Sequence, residues 1–352
     1  MAINVLVVDD SAMVRQFLKH LIDQAEGMTC AGTARDAYEA RDKVNQLAPD
    51  VITLDIEMPR MDGLTFLQKL MRARPTPVVM ISTLTEKGAE ATLRAMELGA
   101  VDFIPKPKLD IRSGLADYET EIIHAIQSAS LARLRSTRTV TPPKKGDIEE
   151  LSTLASTEKI IALGASTGGT EALKTILEPL PASMPAIVMT QHMPSGFTRS
   201  FAARLNGICA ITVKEAEHGE RILPGRAYLA PGDWHMQIIR SGANYVVQLS
   251  QEPPVNRHRP SVDVLFLSLA QSAGQNATAV LLTGMGRDGA AGLQKLKSVG
   301  AVTVAQDEET SLVYGMPKAA VDMGVVDAIV PLDRVPEHLV EWARKKASGN
   351  RV

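Results

Sequence analysis

Short apolar runs recur along the chain and alternate with longer stretches of helical character. "NVLVVDD", "MTCAGTA", "VITLDI", "PVVMIS" and "AVDFIPK" fall in the first third, and "KIIALGA", "AIVMTQ", "ATAVLLTG", "AVTVAQ" and "VVDAIVP" in the rest. Runs of this length, bounded by turn residues, predict buried strands, and the spacers predict helices. Alternation of this kind predicts parallel sheets covered by helices on both faces. One stretch breaks the second series: "RAYLAPGDWHMQIIRSGANYVVQLS" alternates around Ser241-Gly242 and is expected to form an antiparallel hairpin.

Between the two series lies "SASLARLRSTRTVTPPKKG", with five basic residues, no acidic ones and a Pro142-Pro143 pair. Its start is expected to finish a helix and the remainder to be an exposed, solvated tether. The chain therefore divides into two α/β domains, 1–125 and 158–347, joined by a linker over 126–157. The first is expected to be a five-stranded (βα)5 unit. The second is expected to be a doubly wound, mostly parallel sheet carrying the hairpin.

Composition narrows the function classes. The 352 residues are 45% hydrophobic and 22% charged, enough to bury two cores, and the net charge of −2 carries no nucleic-acid signature. Cys30 and Cys209 are the only cysteines, which argues against a disulfide framework or zinc knuckle and suits a reducing compartment. The opening Met1-Ala2-Ile3-Asn4-Val5 lacks a signal peptide's basic start, and no apolar run approaches the ~20 residues of a membrane span. The expectation is a cytoplasmic protein without membrane insertion.

In an open parallel sheet, ligands gather beyond the carboxyl ends of the strands. In the first domain those ends carry Asp9-Asp10, Asp55, Ser82 and Lys106. Three carboxylates at one sheet edge repel one another unless a cation joins them, and a hard ion such as Mg²⁺ suits an oxygen-rich site. With a lysine and a hydroxyl alongside, such a site suits phosphoryl transfer onto a carboxylate. Each residue also has a plainer use: Asp9 or Asp10 as a helix cap, Lys106 as a surface lysine. Five such residues on four strand ends resemble the receiver domain of two-component response regulators, through "VLVVDDS", "DIEMPRMDG", "VVMIS" and "AVDFIPKP". The resemblance spans roughly Met1 to Ala125. It implies Asp55 as phosphoacceptor, Mg²⁺ held by Asp9, Asp10, Asp55 and the main-chain carbonyl of Glu57, and a switch made of Ser82, Phe103 and Lys106.

The second domain poses a question at "GASTGGTEAL", where a tight glycine-rich turn joins a strand to a helix. Ser166 there suits a helix cap, a phosphate-cradling turn or a G-x-S-x-G nucleophile elbow. Ser166, His192 and Asp288 all fall just beyond strand ends, where a nucleophile, its base and an orienting carboxylate can meet. His192 is equally suited to a core position and Asp288 to capping the helix after Gly289. His218, His235 and His258 are further candidate bases. The order Ser, His, Asp differs from the order Ser, Asp, His of the α/β-hydrolases.

"GASTGGTEAL", "QHMPSGFTRSFAARL", "VNRHRPSVDVLF" and "LLTGMGRDGAAGL" together resemble the output domain of the chemotaxis protein-glutamate methylesterases. The resemblance implies Ser166 as nucleophile, His192 as general base and acid, Asp288 as its orienting partner, and Thr167 and Met285 close to the reacting centre. It implies methylated chemoreceptor helices as substrate, glutamine deamidation as a second activity, and a chemotaxis histidine kinase as phosphodonor. It further implies an unphosphorylated receiver that blocks the Ser166 site, with no cofactor needed in the esterase domain. Two rival classes fit less well. A DNA-binding regulator would end in a helix-turn-helix, and a nucleotide-binding module would need G-x-G-x-x-G or a Walker lysine.

Overall fold

In the computed structural model, residues 2–83, 85–106, 115–134 and 158–345 are described. The chain divides into two compact units, Met1–Arg138 and Thr139–Val352. Most of the expected linker, 135–157, lies outside the described residues, as do 346 and 347 of the expected second domain.

The first unit alternates β1 (Ile3–Val8), α1 (Ala12–Gln24), β2 (Met28–Ala34), α2 (Ala37–Leu47), β3 (Val51–Asp55), α3 (Gly63–Ala73), β4 (Val78–Ser82), α4 (Glu86–Glu97), β5 (Asp102–Pro105) and α5 (Leu115–Ser130). Every strand pairing is parallel, in the order β2-β1-β3-β4-β5. The strand order reverses between β1 and β3, so a crevice opens where Asp9 follows β1 and Asp55 ends β3. Both faces of the central strands are buried, which explains why "VLVV" and "VITLD" read as continuous rather than alternating apolar runs. Side-chain caps start the helices: Ser11 accepts from Val14 N, Asp36 from Tyr38 N and Glu39 N, and Asp62 from Thr65 N.

The second unit contains β6 (Ile160–Ala165), α6 (Gly169–Leu177), β7 (Ala186–Gln191), α7 (Phe197–Ile208), β8 (Thr212–Glu215), β9 (Arg226–Leu229), β10 (His235–Ser241), β11 (Asn244–Ser250), α8 (Val262–Ser272), β12 (Ala277–Leu281), α9 (Ala290–Ser298), β13 (Val302–Gln306), α10 (Met316–Asp322), β14 (Ala328–Val330) and α11 (Val335–Arg344). Seven strands form one sheet in the order β14-β13-β12-β6-β7-β9-β8, and all of its pairings are parallel. The chain builds outward from β6 in one direction through β7 and in the other through β12. The switch point therefore lies beside β6, and its carboxyl end carries Ser166.

The hairpin is β10 and β11, paired antiparallel from His235↔Ser250 to Ser241↔Asn244, with Gly242 at φ +59° opening the two-residue turn. It is shorter than the sequence suggested. "RAYL" does not belong to it but forms β9, a parallel strand of the main sheet, and the edge strand β8 was not anticipated. The hairpin packs on α8, where Ile238 N donates to Ser268 Oγ at 2.9 Å. Phe266, Leu269, Leu281 and Leu293 join Met236 and Tyr228 in one buried apolar cluster beneath it.

Two contacts set the frame around the switch point. A Cβ on Gly164 would lie 2.2 Å from Val262 Cγ1, and one on Gly289 would lie 2.7 Å from the same atom. The missing side chains let the N-terminus of α8 dock directly against the end of β6. At the other end of β6, the buried Lys159 donates from Nζ to Trp342 O at 2.9 Å, Ala343 O at 3.2 Å and Lys345 O, and sits 4.8 Å from the Trp342 ring centroid. This lysine closes the carboxyl end of α11, where helix carbonyls lack intrahelical donors.

Candidate active site

Ser166 follows β6 on a turn whose Gly168 takes φ +79°, a left-handed conformation that glycine adopts without steric cost. The serine is buried and its N–H donates to Thr283 O at 3.0 Å, tying the turn to the end of β12. His192 follows β7 in the same way, with its N–H donating to Ala165 O at 3.1 Å. Gln191, the last residue of β7, holds both: its Nε2 donates to Ser166 O at 2.9 Å and to His192 O at 3.1 Å.

The three expected side chains meet. His192 Nδ1 lies 3.0 Å from Ser166 Oγ, and His192 Nε2 lies 2.8 Å from Asp288 Oδ2. The side chains of His192 and Asp288 are only 6% and 2% exposed. A neutral imidazole carrying its proton on Nε2 donates to the carboxylate and leaves Nδ1 to accept from the serine hydroxyl. Asp288 does not cap the helix that follows it. It caps α8 instead: Val262 N and Asp263 N donate to it at 2.7 and 3.2 Å, as do Ser261 Oγ at 2.8 Å and Asn256 Nδ2 at 2.7 Å. Burial works to raise its pKa, but the His192 hydrogen bond and charge, with the Asn256 and Val262 donors, outweigh it. The carboxyl is held well below the usual carboxylate range.

A second buried carboxylate stands behind the first. Asp263 accepts from Asn256 Nδ2 at 2.8 Å and from Gly292 N at 2.7 Å, and burial together with the nearby Asp288 charge pushes its pKa up. Sequence inspection missed Asn256, Ser261 and Gln191. The only local hint was "SVD" at a helix start, because their partners are remote in sequence. The other candidate bases have separate places. His235 is buried with Nε2 3.1 Å from Pro253 O and Nδ1 accepting from Ser261 N, and His218 accepts from Leu249 N. The His258 ring stacks on His192, centroids 3.6 Å apart and 15° from parallel. Thr167 is buried beside Ser166, its carbonyl accepting from Thr283 Oγ1 at 3.0 Å, and Met285 is half-buried two residues beyond Thr283.

The first unit gathers its own set. Lys106 Nζ donates to Asp55 Oδ2 at 2.7 Å and lies 3.5 Å from Asp9 Oδ2. Glu57 N donates to Asp55 Oδ1 at 3.2 Å, and Arg15 Nη1 donates to the main-chain carbonyls of Asp9 and Asp10 at 2.7 and 2.9 Å. Asp9 and Asp55 are buried and Asp10 is exposed, with one carboxylate oxygen of each inside a 4.8 Å span. Burial raises the pKa of Asp9 and, helped by the Asp9 charge and opposed by Lys106, pushes that of Asp55 up to about 6. Asp9 Oδ2 is buried and its nearest cationic partner among the described residues is the Lys106 ammonium at 3.5 Å. Three carboxylates against one ammonium leave an over-negative, all-oxygen cluster that fits a hard divalent cation. Phe103 is buried on β5 and Ser82 ends β4, while the Ser82 side chain lies outside the described residues.

A receiver in series with a hydrolase domain is the class that this fold and these two strand-end sites define. The receiver family of response regulators matches residues 5–113, and the CheB methylesterase family matches 161–339. The protein-glutamate methylesterase/protein-glutamine glutaminase of Chromohalobacter salexigens is 55% identical over 99% of both chains, and number 2 of Pseudomonas aeruginosa is 57% identical over 100% of both. The Thermotoga maritima CheB methylesterase catalytic domain matches 52% of this chain and 98% of its own, at 41% identity and TM-score 0.52. The chain belongs to the protein-glutamate methylesterase/protein-glutamine glutaminase family and joins a receiver to a methylesterase domain. Among the described residues, no helix is long and apolar enough to cross a membrane.

Proposed function

We propose that residues 158–347 hydrolyse γ-methyl esters of glutamate on the cytoplasmic helices of chemoreceptors and deamidate receptor glutamines, as the adaptation step of chemotaxis. Residues 1–125 act as a receiver that a chemotaxis histidine kinase phosphorylates on Asp55, raising the hydrolytic rate, with 126–157 as the tether. The protein works in the cytoplasm without nucleic acid or membrane insertion. The observation that carries this reading is His192 spanning Ser166 Oγ and Asp288 Oδ2 at 3.0 and 2.8 Å.

Ser166 Oγ attacks the γ-carbonyl carbon while its proton passes to His192 Nδ1. Asp288 stays ionised and pairs with the imidazolium through Nε2. Backbone N–H groups of Thr167 and Met285 hold the oxyanion, each such donor being worth ~3 kcal/mol. The bond to the methoxy group breaks as Nδ1 returns the proton, and methanol leaves. Water then attacks the acyl-enzyme with Nδ1 taking its proton, the bond to Oγ breaks, and Ser166 is restored with a free glutamate. A glutamine follows the same course with ammonia leaving. The esterase steps need no cofactor.

In the receiver, Asp9, Asp10, Asp55 and the main-chain carbonyl of Glu57 would hold Mg²⁺, which when bound neutralises the oxygens of the transferring phosphoryl group. The Asp55 carboxylate accepts that group, Lys106 pairs with it, and Ser82 and Phe103 respond as the switch. Methanol release from methylated receptor membranes, measured for the full chain and Ser166→Ala with and without a small acyl phosphate, tests the reading. Near-native release by Ser166→Ala would remove it.

A further inference from the structure

We infer that His258 is a positioning residue for the base, acting through its stacked ring. The inference rests on the proposed role of His192. Hydrogen bonds at both nitrogens hold the His192 ring only within its own plane. With the Cβ–Cγ bond as the third anchor, what remains is a limited rocking of the ring, and a wall packed against one face restricts it. The His258 ring supplies that wall, with centroids 3.6 Å apart and planes 15° from parallel. Once His192 takes the serine proton it is a cation, and an aromatic face at that distance attracts a cation.

The backbone bearing His258 is built for this placement. Val255 and His258 exchange both hydrogen bonds, at 3.1 and 3.0 Å, closing a four-residue turn whose central Asn256 and Arg257 take φ +52° and +70°. Left-handed conformations are costly for an arginine and persist where the surroundings over-determine them. Asn256 shows what does so: its amide is pinned between Asp263 and Asp288 at 2.8 and 2.7 Å. The carboxylate that orients one edge of His192 thus also fixes the turn that covers its face. Arg259 Nη1 ties the far side of the turn to Gln251 O and Glu252 O.

The test is steady-state methanol release by the full chain on methylated receptor membranes, comparing wild type with His258→Ala, His258→Phe and His258→Leu. Loss of the wall is expected to lower kcat about tenfold or more in His258→Ala, with KM within about twofold. His258→Phe keeps the face and is expected to restore kcat to within about threefold of wild type, while His258→Leu stays low. Wild-type kcat in His258→Ala, or equal loss in the phenylalanine and alanine variants, would overturn the inference. If His258→Ala does not fold, equal kcat in the phenylalanine and leucine variants would overturn it and retention by phenylalanine alone would support it. Ser166→Ala run in parallel separates the readings: activity there rejects the proposed nucleophile, whereas its inactivity beside a fully active His258→Ala rejects only the positioning role.

Discussion

One oxygen of Asp288 serves two partners: Val262 N donates to its Oδ2 at 2.7 Å, and His192 Nε2 lies 2.8 Å from the same atom. The first bond belongs to the architecture of α8 and the second to the chemistry. Asp288→Asn is therefore expected to act on both. An amide presenting its NH₂ to His192 favours the wrong tautomer, and kcat is expected to fall about 10³–10⁴-fold in methanol-release assays. A loss of activity without any change in unfolding midpoint would contradict the capping role.

The same carboxylate gives a pH dependence of stability with a defined sign. Its folded pKa lies below the ordinary value near ~3.9, so the unfolded chain binds this proton more readily than the native one. The stability it contributes is complete above that value and lost as pH falls through it toward the depressed native pKa. Urea unfolding of the catalytic unit should show a wild-type advantage over Asp288→Asn that is steady at neutral pH and shrinks below about pH 4. A gap that widens on acidification would reverse the sign argued here.

Gln191 offers a separable test of site rigidity. Gln191→Met keeps the volume but leaves the carbonyls of Ser166 and His192 without the amide that now donates to both. Loss of these buried bonds is expected to cost about 1–3 kcal/mol, visible as a lower Tm, together with a reduced kcat. Unchanged Tm and kcat would show that other contacts suffice to hold the two strand ends.

Regulation is tested by removing the receiver. A fragment starting near Asp147 is expected to hydrolyse receptor esters faster than the unphosphorylated full chain and to ignore a phosphodonor. Asp55→Asn in the full chain should lose the phosphodonor response while keeping its basal rate. A coupling of ~1–3 kcal/mol corresponds to a change of about five- to 150-fold. If the fragment is no faster than the full chain, inhibition by the receiver is the wrong description and phosphorylation must stimulate the esterase directly.

The strands that end in chemistry were legible because burial on both faces of a parallel sheet leaves unbroken apolar runs, and the polar residue after each run marks the ligand edge. That rule picks out Asp9, Asp55, Ser166 and His192 at or just after their strands, whereas Asp288 lies seven residues beyond the end of β12. The rule failed for β8, where "TVKE" is a short, partly exposed edge strand, and for "RAYL", which is four residues long and followed by a Pro-Gly turn that mimics a hairpin entry. Asn256 and Gln191 escaped because a buried amide acts through partners scattered across the chain. From its local sequence Asp288 is equally suited to capping the helix after it. It does cap a helix, but one that begins 26 residues earlier.

Lys159 begins the catalytic unit and clasps carbonyls 183 and 184 residues further on, and β6, which follows it, pairs with β12 on one side. On the ribosome, the first unit has all its strands and helices available while the second still lacks both its central pairing and its closing helix. Domains fold as units as they emerge, at roughly 5–20 residues per second. The signal-receiving half thus acquires its structure seconds to tens of seconds before the other half can assemble a working nucleophile. The order of synthesis thus makes the receiver's strands and helices available before β6 can pair with β12.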